Sequence, residues 1–199
     1  MGKHIRRWDN LYKIDIILEY ARKSQEEFIL FMDGADAIIT DDPQLLIDRF
    51  LLFPGAEIVY NAEKGSWPKR PDAENFEKQH YQGGFPYLNS GVFIGRRLAV
   101  IRFYEECKAL LEEAFYLDDQ DVIRRHHQAW FPKVQMDSEG LMFCCLFGLE
   151  QGDPGYDAVG QISGWEKAVW LTGRRLDQKR QQIACRFREV FDKHWNLDL

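Results

Sequence analysis

The sequence predicts an α/β fold: a three-layer α/β/α domain around a mainly parallel, mixed sheet. Three observations carry that prediction. Short apolar runs alternate with longer segments whose apolar residues recur at three- and four-residue steps, the pattern of strands and helices taking turns. A polar corner, Asp33–Gly34–Ala35–Asp36, directly follows the first apolar run, which is where open α/β sheets bind ligands. The chain has 199 residues, 45% of them hydrophobic and 14% aromatic, which suits one packed core in a single domain over 1–199.

Leu11 to Lys23 reads as a helix, with Leu11, Ile14, Ile17 and Leu18 on one face. Phe28 to Met32 is a short continuous apolar run, the mark of a strand buried on both faces. Pro43 suits a first helical turn and opens a helix through Leu45, Leu46 and Phe50. Ala56 to Asn61 is a second strand. Lys64 to Pro86 is polar and bears Pro and Gly, so it reads as a long ordered loop of the kind that serves function. Tyr87 to Gly95 is a strand, Leu98 to Phe115 a helix, and Leu117 to Gln120 opens another. Leu141 to Phe147 reads as a further strand, Gly148 to Gly164 as loop, and Trp165 onward as a long charged C-terminal helix.

Charge and composition exclude several roles. With 26 Lys+Arg against 32 Asp+Glu the net charge is −6, so nothing draws nucleic acid or anionic membrane to the surface as a whole. No apolar run approaches the ~20 residues of a membrane span. The start MGKHIRRWDN lacks the apolar heart of a signal peptide, so a cytoplasmic protein is the default expectation. Cys107, Cys144, Cys145 and Cys185 show no C-x-x-C spacing and are expected to be buried thiols.

Candidate chemistry starts at Asp33 and Asp36. Two carboxylates leaving a strand end together repel unless a cation or donor compensates them. Hard divalent ions meet that need and complete their shell with water and phosphate oxygens. The alternative is a polar turn whose side chains bond nearby backbone. Asp118–Asp119 precedes a helix, and one aspartate is enough for an N-cap, which leaves the other to explain. Asn89–Ser90–Gly91 inserts buried polar groups into an apolar strand, and the glycine allows close approach. His126–His127 is expected to cap a helix end or face solvent. Trp67–Pro68 is either a cover for the core or a sugar platform.

The order FILFMDGADAII, IVYNAEKGSWP, YLNSGVFIG, LDDQDV resembles the glycosyltransferase domain of the procollagen lysyl hydroxylases and related collagen-type glycosyltransferases. That family carries F-x-D-x-x-D-V, F-S-A-E-x-x-C-W-P, Y-L-N-S-G-G-F-I-G and D-D-Q. The resemblance covers residues 12–147 and leaves 165–195 as a divergent helical part. It implies a GT-A-type, Rossmann-like fold that binds a UDP-sugar through Mn²⁺ (or Mg²⁺). Asp33 and Asp36 match the metal-binding pair. Asp118 and Asp119 match an acidic doublet facing sugar and acceptor, with Gln120 completing the motif. Asn89 and Ser90 match the strand lining the donor pocket, Trp67 the tryptophan of a mobile loop, and Lys13 a lysine near the nucleotide.

The departures are specific. The family's first, uridine-holding strand has no counterpart before Leu11. Ala35 stands where an aromatic residue often flanks the uracil, and Ser66 replaces the cysteine of C-W-P. The family's third metal ligand is a histidine in H-G-N-G, and His194–Trp195–Asn196 is the nearest segment here, making His194 the candidate. The resemblance implies hexose transfer from a UDP-sugar to a hydroxyl of an unknown glycan or protein acceptor. The departures imply an alternative, a truncated or inactive module that binds nucleotide-sugar or glycan without turnover.

Overall fold

A computed structural model describes residues 9–33, 43–145 and 148, all within one compact unit, Met1–Pro154. Ala35, Asp36, Cys185, His194 and the helix expected from Trp165 onward lie outside the described residues.

The elements are α1 (Tyr12–Lys23), β1 (Phe28–Met32), α2 (Pro43–Phe50), β2 (Ile58–Glu63), α3 (Pro71–His80), β3 (Tyr87–Arg96), α4 (Arg97–Glu113), α5 (Asp119–Trp130) and β4 (Val134–Met136). The described strands form a sheet in the order β1-β3-β2-β4. Strands β1, β2 and β4 run one way and β3 runs against them. The pairings are therefore antiparallel on both sides of β3 and parallel only between β2 and β4. The expected mixed sheet is present, but its central pairings are antiparallel.

Side-chain alternation along the strands builds two cores. Ile29, Ile58, Tyr60 and Phe93 face one side and pack with Ile14, Ile17, Leu18, Val100, Phe103 and Ile123 of α1, α4 and α5. Val59 and Ile94 face the other, where Phe50 of α2 and Phe143 join them. The three-layer α/β/α arrangement follows from this alternation. In α1, Ile14, Ile17, Leu18 and Ala21 repeat at helical spacing and are buried, which fixes the face it turns to the sheet.

Four expectations change. Phe28–Met32 is a strand, but at the sheet edge, so only Ile29 is fully buried. The stretch expected to be one long loop contains α3, because Pro71 at the first helical position and Ala73 and Glu77 on one face suffice for a short helix. Residues 141–145 form no strand. Asp137 gathers the amides of Leu141, Met142 and Phe143, and the last strand among the described residues is the three-residue β4 before it. Cys107 is buried as expected, whereas Cys144 is exposed and Cys145 half-buried.

Candidate donor site at the strand ends

The site lies at the carboxyl ends of β1 and β2, beside the first half of β3. Pairing of β2 with β3 is regular from Ile58 to Tyr60, then jumps from Tyr60↔Phe93 to Asn61↔Asn89. This bulge leaves Ser90, Gly91 and Val92 without partners on β2, and such bulges re-aim side chains. Ser90 turns to α5: its amide donates to Gln120 Oε1 (2.9 Å) and its hydroxyl to Asp119 Oδ2 (2.8 Å). Opposite, the amide of Asp33 donates to the Gly91 carbonyl at 2.8 Å. A Cβ on Gly91 would sit 3.0 Å from Asn89 Oδ1 and 3.2 Å from Asp33 Oδ2, so a side chain there would crowd the Asp33 carboxylate.

Lys13 is brought in by α1. Its ammonium donates to Asp33 Oδ2 at 3.0 Å and lies 3.5 Å from Asp119 Oδ2. Burial pulls the Lys13 ammonium down, but the charges of Asp119 and Asp33 and their hydrogen bonds more than reverse this, leaving it above its ordinary value. Asp119 is more deeply buried and fares differently. Burial pushes its carboxyl up, and Lys13 and the Ser90 hydroxyl only partly offset that, with Asp118 and Asp33 adding repulsion. Both directions follow from one ammonium serving two carboxylates: the lysine is amply compensated and Asp119 receives its longer end.

The rim is set by the other half of the doublet. Asp118 caps α5, its Oδ1 accepting the Asp121 amide at 2.9 Å, while its Oδ2 accepts from Trp67 Nε1 at 3.0 Å. The indole of Trp67 is otherwise 60% exposed. Gln120 ties the parts together, donating to Glu63 Oε1 (2.9 Å) and to the Trp67 carbonyl (2.6 Å).

Of the residues singled out in the sequence, Lys13, Asp33, Ser90 and Asp119 form one contact chain, with Asn89, Gln120, Asp118 and Trp67 around it. His127 neither caps a helix end nor faces solvent. It is buried, with Nε2 2.8 Å from the Tyr81 hydroxyl, and burial pulls its pKa down to about 3. Sequence reasoning missed Glu63. Burial raises its carboxyl above the usual range, and hydrogen bonds from Gln120 and Asn89 offset only part of that. The signal was present in Asn61-x-Glu63, where an apolar strand turns polar at its carboxyl end. Among the described residues no group of three or more His, Cys, Asp or Glu is placed to hold a metal ion.

This geometry coincides with a family match. The model for the PLOD GT domain fits residues 10–148, well over half the chain. The chain belongs to the PLOD GT domain family. Procollagen-lysine,2-oxoglutarate 5-dioxygenase of Drosophila melanogaster is 32% identical over 87 residues, 42% of this chain. The multifunctional procollagen lysine hydroxylase and glycosyltransferase LH3 of Rattus norvegicus is 32% identical over 99 residues, 49% of the chain. LH3 of Homo sapiens is 26% identical over 113 residues, 57% of the chain. The matches span only 12–13% of the length of these relatives. No helix among the described residues is long and apolar enough to cross a membrane.

Proposed function

We propose that the chain is a metal-assisted glycosyltransferase that moves a hexose from a UDP-sugar to a hydroxyl acceptor on a glycan or protein. The observation that carries this reading is the convergence of Lys13, Asp33, Ser90 and Asp119 at the carboxyl ends of two parallel strands, in a chain of the PLOD GT domain family. Polar groups buried there would serve a ligand better than the core.

Asp33 would be the ligand to a divalent cation among the described residues; its side chain is 31% exposed and its Oδ2 accepts from Lys13. Asp119 is turned to Lys13 and Ser90 and lies outside that ligand set. Asp33 and Asp36 would hold Mn²⁺ or Mg²⁺. When bound, the ion supplies positive charge against the diphosphate and the departing UDP. Lys13 would keep Asp33 and Asp119 in place and offset part of their charge. Asp119 and Ser90 would hold sugar hydroxyls, with Asn89 and Gln120 bracing them from the strand and helix. Asp118 and the indole of Trp67 would form the wall toward the acceptor.

The test is a calorimetric titration of UDP with Mn²⁺ and again with chelator, followed by hydrolysis assays on UDP-glucose and UDP-galactose. Metal-dependent binding with slow sugar release is the expected result. A second reading, binding without turnover, is favoured by the same lysine, which already engages an oxygen of each carboxylate. Binding with no release under any metal would establish that reading, and absence of UDP binding would sink both.

A further inference from the structure

The loop between β2 and α3 carries Trp67, and contacts from α5, its cap Asp118 and α3 fix Ser66 to Arg70. Gln120 donates to the Trp67 carbonyl at 2.6 Å. Arg124, one helical turn further on and on the same face, donates Nη1 to the Pro68 carbonyl (2.7 Å) and Nη2 to Ser66 Oγ (3.2 Å). The Ser66 hydroxyl in turn donates to Glu74 Oε1 at 2.7 Å. Arg70, at the loop's end, forks onto Asp121 at 2.8 and 2.5 Å.

Arg124 is the centre of this arrangement. Its side chain is fully buried, and Nε and Nη2 meet the two oxygens of Glu77 at 2.9 and 2.6 Å. A planar guanidinium satisfied on one edge by a carboxylate has its other donors fixed in direction. Here they point at the backbone and hydroxyl on either side of Trp67. A lysine could balance Glu77 but not hold both loop contacts at once.

We propose that Arg124 is a positioning residue for the donor site: braced by Glu77, it latches the Ser66–Pro68 segment to α5 and so sets the Trp67 indole against Asp118. This rests on the reading above only in that Trp67 borders the donor. The latch itself is made by the chain's own contacts.

The experiment uses the full chain, isotope-labelled, and follows indole N–H resonances. The Trp67 signal is identified by its loss in Trp67→Phe, and the Trp130 indole, bonded to Glu106 at 2.8 Å, reports on the fold elsewhere. In Arg124→Lys the Trp67 signal should move to the position of a solvent-bonded indole while Trp130 stays. An unmoved Trp67 signal, or equal movement of both, overturns the proposal. Arg124→Met/Glu77→Gln strands no buried charge and should give the same result. If neither variant folds, Arg124 is a folding residue and the proposal falls.

Affinity for UDP-glucose and UDP-galactose with Mn²⁺ then separates the two readings. Arg124→Lys should weaken binding roughly tenfold in the wild-type background and hardly at all in Trp67→Ala, since coupled residues are non-additive. Equal weakening in both backgrounds would place Arg124 outside any action through Trp67. A latch seen by resonance in a chain that binds no UDP-sugar would overturn the donor-site reading alone.

Discussion

Asp119 and Asp121 lie two residues apart in the first turn of α5, both buried, yet their surroundings act in opposite directions. Around Asp121, burial pushes the carboxyl up, but the Arg70 fork, the Leu117 amide and the charges of Arg70 and Arg125 outweigh it and hold it below its usual value. Around Asp119, burial wins over a single shared ammonium and one hydroxyl, and the carboxyl sits above its usual value. A bidentate arginine completes the compensation of a carboxylate; a lysine held between two of them does not. The difference separates a carboxylate that stabilises the fold from one left with capacity for a ligand. The same division marks the start of the helix, where Asp121 and Arg124 bond Arg70 and Glu77 while Asp118 and Asp119 bond Trp67 and Ser90.

The largest effect should come from breaking the completed side. Asp121→Ala leaves the Arg70 fork without its acceptor and frees the Leu117 amide. Urea denaturation should show a loss of about 2 kcal/mol, between the scales for an exposed and a buried pair, since Asp121 is buried but the Arg70 side chain is 31% exposed. A loss below about 1 kcal/mol would erase the distinction. Asp119→Asn is the counterpart. It keeps the Ser90 hydrogen bond and leaves Lys13 with Asp33, so stability should change by less than about 1 kcal/mol. Sugar release from UDP-glucose or UDP-galactose should fall about 100-fold, as when an electrostatic group beside the reacting centre is removed. A variant that loses stability but keeps turnover would move Asp119 to the structural side.

Much of this was legible in the residues, and the gaps have physical causes. The odd carboxylate in Asp118–Asp119 was identifiable because an N-cap needs one oxygen, and Asp118 takes that role. The polar Asn89–Ser90–Gly91 was visible as an interruption of an apolar strand, but the bulge that aims Ser90 at α5 depends on how β2 and β3 register, which no single segment encodes. β4 was missed because three residues carry no periodicity. α3 was missed because its buried positions are Ala73 and Glu77, and a glutamate reads as exposed until Arg124, 47 residues later, closes on it. The site was legible through local motifs, while the ion pairs that brace it are long-range and were not.

A smaller effect should appear with pH. The folded Asp121 carboxyl lies below its unfolded value of ~3.9, so its contribution is complete above that value and is lost as the pH falls through the folded one. Wild-type stability should therefore drop more steeply below about pH 4 than that of Asp121→Asn, measured by urea midpoints at each pH. Parallel profiles would mean that Arg70 leaves Asp121 as unperturbed in the fold as in the unfolded chain.

The smallest stability effect tests where Trp67 belongs. Its indole bonds Asp118, which caps α5, so it touches the structural device and borders the candidate site at once. With 60% of the residue exposed, Trp67→Phe removes one hydrogen bond at a solvated edge, a change of about 0.5 kcal/mol or less. Asp118 keeps the Asp121 amide, so the cap survives. Donor affinity should nonetheless fall several-fold, because the phenyl ring cannot donate to Asp118 and nothing then fixes its angle. Should stability instead fall by more than about 1 kcal/mol, the indole is a clasp on the helix start. Trp67 would then stand with Asp121 and Arg70 on the structural side, and only Lys13, Asp33, Ser90 and Asp119 would be left to meet the donor.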